Sequence, residues 1–173
     1  MPKDSAPTRS AILAAAVHAL KRAGLEGFTI EGVARRAGVA KGLVLYHYAS
    51  RGRLLRAAAA QVAGDRAAGI GRALSQGPGA RGAWGAAAVD ACWEELRRQA
   101  EDGTARAWLG LCAAGLIGPS DRKAGFEDTA QQAVLDGCTA ALAAGAPLDE
   151  LRDAYHALWL ALLDLEQGGE ADR

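Results

Sequence analysis

Residues 28–55 read FTIEGVARRAGVAKGLVLYHYASRGRLL, and this stretch decides the fold. Thr29 can cap a helix over Ile30 to Ala37, with Ile30, Val33, Ala34 and Ala37 on one side. Gly38 closes it, supplying a turn conformation that a side chain would resist. A short helix follows over about Lys41 to Tyr48, and Ser50 caps a long one over about Arg51 to Leu74. Ala34 and Ala37 are small, so two helices can cross closely. Val39 and Val44 are spaced to pack back on the first helix. The second helix of such a pair can enter a major groove, which is wide enough to admit one helix. Its groove face carries Lys41, Gly42, Leu43, Leu45, Tyr46 and His47. Gly42 lets the backbone come close to DNA. Lys41, Tyr46 and His47 can hydrogen-bond phosphates or base edges, and Leu43 can touch a thymine methyl. Arg51, at the start of the next helix, is a candidate phosphate clamp. The same pattern also suits a helical hairpin that binds no DNA and uses its tyrosines as core anchors.

Outward from this stretch the chain reads as helix throughout. Alanine is abundant and β-branched runs are absent, which favours helix over strand. Thr8 is placed to cap a first helix with Ile12, Ala16, Ala19 and Leu20 on its apolar face, ending at Gly24. Gln76-Gly77-Pro78-Gly79 is a break. Beyond it, helices are predicted at about 80–100, 104–117, 120–144 and 148–166. The fold class is all-α, with about eight or nine helices: a three-helix head over residues 1–50 and a larger helical domain over 51–173.

The 173 residues are 50% hydrophobic and 23% charged, enough apolar material for a buried core. The net charge of zero conceals an asymmetry: residues 1–56 carry +7 and the rest −7. A basic end of this kind suits a polyanion. No apolar run approaches the length of a membrane span, and the polar start has no signal-peptide core, so a cytoplasmic location without membrane partners is expected. Cys92, Cys112 and Cys138 form no CxxC and predict neither a disulfide framework nor a zinc site. No GxSxG, HExxH, P-loop or GxGxxG motif occurs, and His18, His47 and His156 lie in different predicted elements. No enzyme activity, metal or cofactor is expected.

The head resembles the N-terminal DNA-binding domain of the TetR family of transcriptional regulators over residues 8–56. The resemblance is carried in order by Thr29-Ile30, Val33-Ala34, Ala37-Gly38-Val39, Lys41-Gly42, Tyr46-His47-Tyr48, Ser50-Arg51 and Leu54-Leu55. It implies a homodimer whose heads bind a near-palindromic double-stranded operator, and repression relieved by a small-molecule effector. Its expected DNA-binding residues are Thr29, Lys41, Gly42, Leu43, Tyr46, His47 and Arg51. Three positions depart from the family's usual residues: Leu45 stands for a tyrosine, Tyr48 for a phenylalanine and Arg51 for a lysine. Glu31 follows Ile30, where an acid cannot hold a phosphate but suits a helix N-terminus. The alternative is a helical ligand- or partner-binding sensor whose head has lost specific DNA binding.

The rest of the chain is less informative. The resemblance implies that the last two helices pair with their copies in a dimer. The apolar stripes fit this, with Phe126, Val134, Cys138, Leu151, Tyr155, Leu158, Trp159 and Leu162 as interface candidates. Six of the nine aromatics lie beyond residue 80, which suits a ligand pocket walled by Trp84, Cys92, Trp93, Leu96, Trp108, Leu109, Cys112 and Phe126. No buried charge stands out as a partner for an ionic ligand.

Overall fold

The computed structural model describes residues 5–75, 86–118 and 129–170. They form eight helices and no strand: α1 (Ser5–Ala23), α2 (Ile30–Ala37), α3 (Lys41–Tyr48), α4 (Arg51–Leu74), α5 (Ala86–Glu101), α6 (Thr104–Ala113), α7 (Thr129–Ala143) and α8 (Leu148–Glu170). Two compact units result. One comprises Met1–Asp65 and Arg106–Asp121, the other Arg66–Ala105 and Arg122–Arg173.

The first unit is built on the punctuation of its sequence. Gly24 ends α1 at φ +64°, and its N–H donates to Leu20 O at 2.9 Å. Gly38 ends α2 at φ +67°, in the left-handed region that costs glycine little. Thr29 Oγ1 accepts from the Gly32 N–H at 3.1 Å, and Ser50 Oγ from the Arg53 N–H at 3.1 Å, so both caps form as predicted. Thr8 lies inside α1 rather than at its start: the helix begins at Ser5, and Pro7 is accommodated in its first turn. Ala49 joins α3 to α4 at φ +59°, without the freedom of a glycine.

One apolar core joins Ile12, Leu20, Phe28, Val33, Val44, Tyr48, Leu54 and Val62. Trp108, Leu111 and Ile117 complete it from much later in the chain. Tyr48 is 6% exposed, and its hydroxyl donates to Arg9 O at 3.1 Å.

The second unit has its own core of Ile70, Cys92, Trp93, Leu96, Leu135, Cys138, Tyr155 and Trp159. Tyr155 is fully buried: its hydroxyl donates to Val89 O at 3.0 Å and its ring lies 5.4 Å from that of Trp93. Burial pushes its phenol well above the usual range. A buried cation lies in this unit too. Arg66, 2% exposed, donates to Gln99 Oε1 at 2.8 Å and Thr139 Oγ1 at 2.9 Å, with Asp136 Oδ1 at 3.5 Å. A guanidinium removed from water is tolerable only with such partners.

α4 contributes Leu54, Leu55, Ala58 and Val62 to the first core and Ile70 and Ala73 to the second. Among the described residues no helix is long and apolar enough to cross a membrane.

Candidate nucleic-acid interface

α3 is amphipathic in a particular way. Val44 and Tyr48 point into the first core, while Tyr46 on the opposite side is 77% exposed. Leu43 and Leu45 keep 38% and 37% of their surface exposed. His47 is half-buried, with its ring edge-on to Tyr46 at 5.3 Å. A Cβ added at Gly42 would meet no atom within 4 Å. The predicted residues Lys41, Gly42, Leu43, Tyr46 and His47 thus share one short helix, and all but His47 are exposed on it. Thr29 is elsewhere, occupied as the cap of α2.

Two charged groups have partners that spacing did not reveal. Lys41 Nζ forms an ion pair with Glu31, and this lysine hydrogen bond holds the Glu31 carboxyl below the usual carboxylate range. Arg51 Nε donates to Phe28 O at 3.1 Å and Nη2 to Leu25 O at 3.3 Å, with the guanidinium 5.5 Å from the centre of the Phe28 ring. Arg51 therefore staples the loop between α1 and α2 to the start of α4. Arg35, Arg36, Arg53 and Arg56 are exposed on the same unit.

Residues 12–58 match the family described as bacterial regulatory proteins, tetR family. The N-terminal head is similar to the TetR family's over these residues. No curated protein matches the chain. Among solved structures, the multidrug binding protein EbrR, complexed with imidazole, aligns with a TM-score of 0.56 at 23% identity, over 87% of this chain and 88% of its own. A candidate transcriptional regulator from Pseudomonas aeruginosa PAO1 aligns with a TM-score of 0.63 at 18% identity, over 94% of this chain and 93% of its own. A candidate transcriptional regulator, SCO7518 from Streptomyces coelicolor A3(2), gives a TM-score of 0.58 at 18% identity, over 87% of this chain and 97% of its own. These likenesses run over both units and are likenesses of the all-α fold.

Outside the TetR-like head the candidates divide. Cys92, Trp93 and Leu96 lie in the second core, and Trp108, Leu109 and Cys112 in or against the first. Trp84 and Phe126 lie outside the described residues. Of the interface candidates, Val134, Cys138, Leu151, Tyr155 and Leu158 line one apolar groove of about 340 Å³ between α7 and α8. Trp159 is buried and Leu162 packs against the second core. A second groove, of about 450 Å³, runs along α1 and α4 past Leu13, Val17, His18, Gln61 and Asp65. Burial, and then Arg36, Arg22 and Lys21, hold His18 below its ordinary value.

Sequence reasoning missed the Glu31–Lys41 pair, the carbonyl partners of Arg51 and the burial of Arg66. The last contradicts the expectation of no buried charge. The only signal for it was a lone arginine in an alanine- and glycine-rich run.

Proposed function

We propose that the protein is a ligand-responsive transcriptional repressor that binds a near-palindromic operator as a homodimer. The observation that carries this is the outward face of α3. A short helix with a bare Gly42 and exposed Leu43 and Tyr46 has no internal use for those residues. Glycine inside a helix costs about 0.5–1 kcal/mol relative to alanine, and no packing within the chain repays it. Close approach of a duplex supplies the reason. Residues 1–50 form the DNA-binding domain, with Thr29, Lys41, Gly42, Leu43, Tyr46, His47 and Arg51 as its contact set. Arg51 contributes by holding the loop. The exposed arginines around α3 supply phosphate contacts.

Residues 51–173 form the effector and dimerisation domain. The α7–α8 groove faces a second copy, and half-exposed Leu158 is unsatisfied without one. Two recognition helices would then read half-sites about 34–36 Å apart or at a related spacing. EbrR, similar in fold, is described as a multidrug binding protein, which supports a small-molecule effector here, held in the second unit. α4 enters both cores and is the element through which its binding is transmitted. A coupling of about 1–3 kcal/mol lowers operator affinity 5–150-fold. The protein is not an enzyme on this reading and acts in the cytoplasm.

The ion pair of Lys41 with Glu31 favours a second reading, a sensor whose head has lost specific DNA binding. Fluorescence anisotropy separates the two. The purified protein is titrated onto the DNA upstream of its own coding sequence and onto a scrambled duplex, at two salt concentrations. Tight binding to the first that survives moderate salt supports the repressor, and Tyr46→Ala then weakens it without unfolding the chain. Equal, salt-labile binding to both at every candidate operator leaves the sensor.

A further inference from the structure

The outward face of α3 is almost entirely hydrocarbon. At 100° per residue it is centred on Tyr46, with Gly42 one turn earlier, Leu43 beside both and Leu45 on the flank. Single exposed leucines are ordinary on a protein surface. Two leucines and a tyrosine within four residues, next to a glycine with open space over it, form a continuous apolar surface.

Apart from half-buried His47 and the Tyr46 hydroxyl, the polar readers are missing or occupied. α3 contains no Arg, Asn or Gln, the side chains whose paired hydrogen bonds recognise guanine or adenine. Its one lysine is held by Glu31. The Tyr48 hydroxyl is spent on Arg9 O inside the unit. What remains for base edges is alkyl surface, the exposed Tyr46 phenol and the half-buried His47 imidazole edge-on to it. In the major groove the apolar feature that distinguishes one base from the others is the C5-methyl of thymine.

We infer that this chain selects its operator chiefly through thymine methyls, with Leu43 as the residue that reads them. The inference rests on the DNA-binding function proposed above. Each half-site then carries a thymine under Leu43, and that base contributes through its methyl rather than through its hydrogen-bonding groups.

Deoxyuridine tests this directly, because it lacks only the methyl. The full-length protein is first used to select duplexes from a pool with a randomised centre. Each thymine of the selected duplex is then replaced singly by deoxyuridine, and affinity is measured for the natural chain and for Leu43→Ala. Burial of one methyl changes an affinity about fourfold. The expected result is a loss of about that size at one thymine per half-site for the natural chain and none at that base for Leu43→Ala. Leu43 lies outside the core, so the variant retains its helical circular dichroism. If every deoxyuridine is silent, or costs both proteins equally, the methyl reading falls while specific DNA binding stands. If no sequence is enriched, the DNA-binding function falls and the inference with it.

Discussion

Glu31→Gln should strengthen the interaction with DNA and make it more sensitive to salt. Glu31 stands in the first turn of α2 and Lys41 begins α3, and the two side chains are 63% and 57% exposed. The pair is a net-neutral unit on the surface proposed to face the duplex. If Lys41 turned to a phosphate, it would leave an uncompensated carboxylate beside the polyanion. Glutamine keeps the shape and an acceptor oxygen but removes the charge, so the lysine becomes free to neutralise one phosphate. Each such contact steepens the plot of log affinity against log salt by about 0.9. Between 50 and 200 mM salt, the variant should therefore lose about 3.5-fold more affinity than the natural chain. Anisotropy titrations of one selected duplex across that range give both slopes. Lys41→Gln in the Glu31→Gln background should abolish the gain.

The acid side has a definite sign. The carboxyl is depressed by its lysine, so the pair is intact above the usual glutamate range and is lost as pH falls through the lowered value. Natural chain and variant converge on acidification and differ most at neutral pH. The thermal midpoint should hardly move, because both partners are exposed. Equal slopes for the two proteins at neutral pH, or a gain that survives loss of Lys41, would refute the reasoning.

Ala49→Gly should stabilise the chain. It relieves the positive φ of +59°, for a net gain of about 1 kcal/mol and a rise of about 2–4 °C in a melting scan. Gly42→Ala should raise stability by about 0.5–1 kcal/mol while weakening operator affinity, since the new methyl meets nothing in the chain but stands toward the duplex. Arg66→Ala should cost about 3–5 kcal/mol in urea denaturation by stranding Gln99, Thr139 and Asp136, and Arg66→Met, which keeps the volume, should cost clearly less. Cys92 and Cys138, pushed up by burial to about 12 and about 11, should resist iodoacetamide at pH 8 in the native protein and react once it is unfolded. At that pH about 0.1% or less of either is thiolate.

What the sequence made legible is local in origin. A left-handed turn needs glycine and a helix start needs a side-chain acceptor, so Gly24, Gly38, Thr29 and Ser50 could be assigned from their own neighbourhoods. Spacing placed Val44 inward for the same reason. The start of α1 was misplaced because Thr8 is a good cap, yet Pro7 fits a first helical turn equally well. The remaining surprises are contacts between residues far apart in sequence. Arg51 finds carbonyls 23 and 26 residues back. Arg66 is buried only because Gln99 and Thr139 arrive 33 and 73 residues later. No period of 3.6 encodes such pairings, and the aromatic-rich stretch gave no hint that Trp93 and Trp108 belong to different cores.

The two departures in the recognition segment act in one direction. Leu45 replaces a hydroxyl that the family resemblance leads one to expect, and Glu31 occupies the nearest lysine. Both lower the number of phosphates that α3 itself can neutralise and raise its share of hydrocarbon. The phosphate part of an affinity collapses with salt, because it comes from released counterions. A methyl packed against leucine carries no charge and is not screened in that way. A head built like this binds random DNA less tightly than one with a free lysine at the same place. The difference between operator and random sequence should then depend only weakly on ionic strength. Specificity bought from methyls survives the conditions under which non-specific attachment is lost. On the proposed function, that is the useful property for a regulator that must leave most of the genome alone.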